Sequence, residues 1–217
     1  MISYLIFIVL FILSITVHEF FHGLVADQLG DPTPRLSKRL TLNPIPHIDI
    51  FGTLIIPFVL QLPFGWAKPM PIDPYNLRNP KKDTALIAFA GPCANLIVAI
   101  ILSIVLRLLN LMDINYLITI SSSIILTIIK LNVTLAFFNL LPIHPLDGFS
   151  LVSGFLSEEK YEEWIQLRRY GMFFLLILII PIFGGSSMIG FIMNPAVSFI
   201  YRLLIPYPFN LTSPGII

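Results

Sequence analysis

Apolar residues run almost unbroken from about Ile2 to Leu24, close to the ~20 residues that a helix needs to cross the hydrocarbon core of a bilayer. Residues 25–47 then turn polar and carry four prolines, which predicts a loop. The next stretch, IDIFGTLIIPFVLQLPFGW at 48–66, is apolar again but interrupted by Gly52, Pro57, Pro63 and Gly65. A straight helix does not tolerate that, so β-strands or a re-entrant segment are predicted, with the backbone satisfied by protein or water. A second proline-rich loop at 67–83 leads into a span from about Thr84 to Leu109, and a third span runs from about Tyr116 to Leu140. Residues 157–171, SEEKYEEWIQLRRYG, are strongly charged and predict an amphipathic surface helix. Residues 171–205 are apolar but cut by Pro181, Gly184-Gly185 and Pro195. They read either as one span plus an interfacial or half-length helix, or as two short spans.

The pattern therefore predicts an all-α polytopic membrane protein of four to six transmembrane segments, with a broken, re-entrant or β-strand segment between the first two. Residues 1–156 would form the intramembrane core, 157–170 a cytoplasmic amphipathic segment, and 171–217 a C-terminal transmembrane or interfacial segment. Composition agrees. Of 217 residues, 56% are hydrophobic and 12% are charged, about half the charge of a soluble domain. The first span lacks a basic leading region and a small-residue cleavage site, so it reads as retained rather than as a signal peptide.

Charge sets the expected orientation. Arg35, Lys38, Arg39, Lys68, Arg78, Lys81 and Lys82 lie between the first two spans, and Lys160, Arg168 and Arg169 follow the third. By the positive-inside rule these loops belong in the cytoplasm. The net charge of +1 gives no reason to expect a nucleic-acid partner. One cysteine, Cys93, excludes an internal disulfide and a Cys-rich zinc ribbon.

Near the inner end of the first span stands HEFFH, comprising His18, Glu19, Phe20, Phe21 and His22. Histidines four apart share one helix face and can share a metal, with Glu19 beside them able to reach a water without ligating. Ionisable groups at membrane depth cost at least ~2.5 kcal/mol on insertion scales and mark function by default. Two interfacial histidines and a snorkelling glutamate are the plainer alternative. A catalytic zinc takes three protein ligands, and Asp147 in NLLPIHPLDG is the best distant oxygen donor. Taken alone, its Asp-Gly pair is an ordinary turn signal.

HEFFH, AGPCAN and NLLPIHPLDG stand in the order and spacing found in the intramembrane site-2 metalloproteases, and about residues 10–155 resemble the short members of that family, which lack PDZ and CBS domains. The resemblance implies a zinc site of His18, His22 and Asp147, with Glu19 as acid/base. It also implies a place in a prokaryotic cell membrane, and transmembrane proteins or peptides as substrates. Asn95 matches the asparagine of the family's GPxxN motif and Asn139 the one that opens NxxPxxPLDG. Asn95 would donate to a substrate carbonyl or a developing oxyanion, or else tie two spans together. Polar loops on the cytoplasmic side offer water the shortest route to the site.

His47 and His144 could each take a fourth metal position, orient a ligand, or sit in a loop at the interface. Lys130, within the third span, is assigned no role. Trp66, Tyr75 and Trp164 suit interfacial anchoring. Two rival readings remain at this point: a divalent-metal transporter using the same residues, and an inert scaffold with a decayed motif.

Overall fold

A computed structural model describes residues 2–55, 65–111, 115–183 and 186–205. The chain is mostly helical. In order it forms α1 (Ile2–Gln28), α2 (Thr33–Leu36), α3 (Pro80–Leu111), α4 (Asn115–Asn139), α5 (Asp147–Ser153), α6 (Glu158–Gln166), α7 (Arg168–Ile179) and α8 (Met188–Leu204). Two short strands, β1 (Pro181–Phe183) and β2 (Ser186–Ser187), pair antiparallel between α7 and α8. Among the described residues, three helices are long and apolar enough to cross a membrane: Leu5–Gln28, Pro80–Leu111 and Ser122–Asn139. These coincide with the three strongest expected spans.

The first span runs one turn further than its hydropathy, to Gln28. Polar residues at the end of a helix face water without breaking its backbone bonds. Of the interrupted segment, Ile50–Ile55 wind as a short π-helix rather than a strand, while 56–64, with Pro57 and Pro63, lie outside the described residues, as do Gly184 and Gly185. The two ends of that segment meet. Trp66 N–H donates to the Gly52 carbonyl at 3.2 Å, and the Thr53 hydroxyl donates to the Trp66 carbonyl at 2.7 Å. A Cβ on Gly52 would fall 2.3 Å from the Trp66 indole, so only glycine admits this contact. Residues 168–204 contain two helices of 12 and 17 residues, each short of the ~20 for a straight crossing.

The chain divides into two compact units, residues 1–94 and 95–217. The first holds α1, α2, the long polar connection and the start of α3. Its apolar centre is Ala26, Leu77 and Ile87, with Val25, Leu29 and Ile72 packed around them. Its connection is organised by Asp31, which is fully buried and accepts from Thr33 N–H at 3.0 Å, Asp73 N–H at 2.8 Å and Asn76 Nδ2 at 2.9 Å. The second unit is built around α4 and α8, whose Ile129, Val133, Ile189, Met193, Val197 and Tyr201 share one core. The last carbonyls of α8 need partners; Ser103 Oγ donates to that of Leu204, and Arg107 Nη2 to those of Leu203 and Leu204 at 3.1 and 3.2 Å.

Candidate metal centre

On α1 the two imidazoles stack one turn apart. They are 4% and 5% exposed, with ring centroids 4.6 Å apart and planes at 87°. Their Nε2 atoms approach to 3.0 Å. His22 Nδ1 lies 2.7 Å from the carbonyl oxygen of Ile87 on α3. Only a protonated Nδ1 is compatible with that acceptor, so the neutral ring carries its lone pair on Nε2, the nitrogen facing His18. Two nitrogens on a tetrahedral zinc at ~2.0–2.1 Å would stand roughly 3.3 Å apart. The observed separation is within a few tenths of an ångström of that value.

The opposite wall is Gly91 of α3. A Cβ there would lie 2.4 Å from His22 Nε2 and 2.7 Å from His18 Cε1. A glycine at this point leaves space against both rings that any other residue would fill. The pair and this space fit a metal of zinc's size and ligand preference. From the sequence, AGPCAN supplies Asn95 as a candidate, and the place of its Gly91 against the two rings is not legible there.

Glu19 is half-buried, one residue on from His18. Its Oε2 accepts a hydrogen bond of 2.7 Å from the backbone N–H of Met70. Met70 belongs to an extended segment whose Lys68 N–H donates to the His47 carbonyl at 2.9 Å. Arg39 Nη2 donates to the carbonyls of Lys68 at 2.6 Å and Pro69 at 3.3 Å. Burial lowers the pKa of Arg39, and the charge of Glu19 opposes that shift. The His47 ring is buried, with Nε2 2.8 Å from the Thr41 carbonyl in its own loop.

Asp147 and Asn95 belong to the second unit. Asp147 begins α5. The next residue, Gly148, is pressed onto the end of α4, where a Cβ would fall 2.2 Å from the Leu140 carbonyl oxygen. The LDG turn is thereby fastened to the helix that precedes it. Asn95 is fully buried, and neither side-chain amide atom has a hydrogen-bond partner among the described residues. Asn139 Nδ2 donates to the Leu135 carbonyl one turn back, at 2.9 Å. His144 Nε2 accepts from Arg168 Nε at 3.0 Å, and its ring meets Phe149 edge-on. Trp164 packs rather than standing alone at an interface: it stacks on Phe149 with centroids 4.9 Å apart and donates to the Phe149 carbonyl at 2.9 Å. Tyr75 is 96% exposed.

Residues 6–119 and 110–179 match the family described as Peptidase family M50. A protein of Bacillus subtilis (strain 168) named "Putative zinc metalloprotease YwhC" is 36% identical over 181 residues, which is 82% of this chain and 81% of that one. Proteins given the same designation and called Rip2 are 26% identical. The one from Mycolicibacterium smegmatis aligns over 78% of this chain and 64% of its own, and the one from Mycobacterium tuberculosis (strain H37Rv) over 80% and 66%. No solved structure matches the chain.

Proposed function

Because this chain belongs to peptidase family M50, the site-2 protease family that its motifs resemble, we propose that it is an intramembrane zinc metalloprotease. It cleaves peptide bonds in or near transmembrane segments of membrane proteins, as a step of regulated intramembrane proteolysis. The observation that carries the reading is the His18–His22 pair: two buried imidazole nitrogens 3.0 Å apart on an apolar helix, facing a glycine. Such a pair at membrane depth is costly unless it does something.

His18 and His22 would hold the metal through Nε2, with Asp147 as third ligand. The family and the names of the relatives support zinc. Zinc, when bound, supplies Lewis-acid polarisation of a peptide carbonyl and a water acidic enough to ionise near neutral pH. Glu19 takes a proton from the attacking water at a carboxylate oxygen and returns it to the leaving amine nitrogen. Ile87 fixes the His22 tautomer through its carbonyl, so that this ring needs no reorganisation to ligate. Asn95 donates to the substrate carbonyl as negative charge develops on it. Its burial without a partner among the described residues supports that assignment over a bond between spans.

A transmembrane substrate hides its amides in its own helix, so it must unwind locally before cleavage. The broken segment expected from the sequence around residues 48–65 would be the one to pair with it as an added strand. Crosslinking that finds no substrate contact there would remove this step. The basic loops between the first two spans support a site towards the cytoplasmic face of a cell membrane.

Purified protein with a membrane peptide tests the whole. Glu19→Gln should abolish cleavage while zinc content stays unchanged. Metal flux into liposomes with no cleavage by the wild type would replace the protease with a transporter.

A further inference from the structure

The extended segment that crosses Glu19 reads KPMPI from Lys68 to Ile72. Proline has no N–H, so Pro69 and Pro71 leave Met70 as the one backbone donor between Lys68 and Ile72. That donor is spent on Glu19 Oε2. The two carbonyls immediately before it are both taken by one guanidinium, that of Arg39. Arg39 is only 7% exposed; the two Nη2 bonds offset part of the cost of burying a cation, while its Nε has no partner among the described residues. The Lys68 N–H donates to the His47 carbonyl, and the Asp73 N–H to Asp31. The strap is therefore held on both sides of Met70, and its midpoint is gripped by Arg39.

We propose that Arg39 is a positioning residue for Glu19: its Nη2 holds the Lys68 and Pro69 carbonyls so that the Met70 amide stays on Oε2, leaving Oε1 to carry the proton. This rests on the reading of Glu19 as the acid/base. A glutamate has three side-chain torsions, and misplacement of a reacting group by an ångström can cost ~100-fold in rate. A backbone donor between two prolines suits the task. It does not titrate, and the prolines restrict how the chain around it can move. Lysine replaces arginine only in part here, because its shorter, non-planar head would have to bring one nitrogen to the same point between the two carbonyls.

The test uses the purified, zinc-loaded full chain. Arg39→Ala should lower kcat on a membrane peptide by ~10–100-fold, with KM within about twofold and zinc per chain unchanged. Guanidinium chloride at tens of millimolar should restore part of kcat, and tetramethylammonium chloride should not. Hydrogen exchange supplies a readout independent of activity. The Met70 amide should exchange at least ~10-fold faster in Arg39→Ala and in Glu19→Ala, while the amides at the centre of α1 stay protected. Arg39→Lys should fall between wild type and Arg39→Ala, and it carries the same comparison if the alanine variant does not fold. Unchanged Met70 exchange in the Arg39 variants overturns the inference, as does full kcat despite faster exchange. An active wild type and inactive Glu19→Gln beside a fully active Arg39→Ala sinks this inference alone. A wild type that cleaves nothing sinks the protease reading with it.

Discussion

Gly91 lies so close to His22 that a single added carbon would sit 2.4 Å from the imidazole Nε2. Helix propensity and site geometry therefore oppose one another at this position. Alanine is favoured over glycine inside a helix by ~1 kcal/mol, yet its methyl group would occupy the space against both imidazoles. Gly91→Ala should leave the protein folded, with a thermal midpoint at or somewhat below that of the metal-stripped wild type, because displacing the two packed rings offsets the gain in helix propensity. It should lose most of its bound zinc and with it any proteolysis. Zinc per chain by elemental analysis, measured beside the thermal midpoint, checks this. A variant that retains full zinc would show that the rings do not hold the metal in the arrangement described.

A second glycine predicts the opposite balance. The Cβ of Gly148→Ala would meet backbone, the Leu140 carbonyl oxygen at 2.2 Å, so no side chain can step aside. The start of α5 would have to lift from the end of α4. Overpacking of this sort costs ~1–3 kcal/mol, and the midpoint of denaturant unfolding in detergent should fall accordingly. Unaltered stability would mean that the LDG turn is not fastened to α4.

What the sequence reveals and what it hides follow from the range of the interactions. The three spans and HEFFH are legible because hydropathy and the four-residue helical period are local properties of α1, α3 and α4. The partners that shape the site are distant in sequence. Ile87 lies 65 residues from His22 and Met70 lies 51 from Glu19, and no periodicity links them. His47 and His144, left open from the sequence, turn out to bond Thr41 and Arg168. One signal was present for the strap: alternating prolines around Met70 enforce extended backbone and isolate one amide. The same logic explains the short helices after residue 167. Pro181 ends the apolar run before it reaches spanning length.

Asp31 makes the first unit acid-sensitive. Burial alone would raise its pKa, but the Thr33 hydroxyl, the Asn76 amide and the backbone N–H groups of Asp73 and Thr33 together bring it below the ordinary 3.8. A carboxylate with a depressed folded-state pKa stabilises the fold fully above the unfolded value. That contribution is lost as pH falls through the folded one. The loops that Asp31 joins, residues 29–37 and 70–79, should therefore keep their arrangement down to about pH 4 and loosen below it. Asp31→Ala should show the loosened behaviour already at neutral pH, costing ~1–3 kcal/mol for buried donors left unpaired. Amide exchange at Asp73 and Thr33 across this pH range is the measurement, and indifference of those amides to the substitution would refute it.

The contact between His144 and Arg168 responds at higher pH. Burial lowers the pKa of His144 below 6.5, and the neighbouring Arg168 guanidinium lowers it further. The ring is thus neutral where it accepts from Arg168 Nε; a proton on Nε2 would remove the acceptor and place two cations together. With the folded pKa depressed, the unfolded chain binds the proton first as pH falls below 6.5. The stabilisation is therefore complete above 6.5 and declines towards the folded value. Trp164, stacked on the same Phe149 that meets His144, reports the change. Its fluorescence should shift to the red as pH falls below 6.5 and the start of α7 loosens from the LDG turn. Arg168→Gln should move that transition to higher pH by removing the cation while leaving the burial. A transition at the same pH in wild type and Arg168→Gln would assign the acid response to another group.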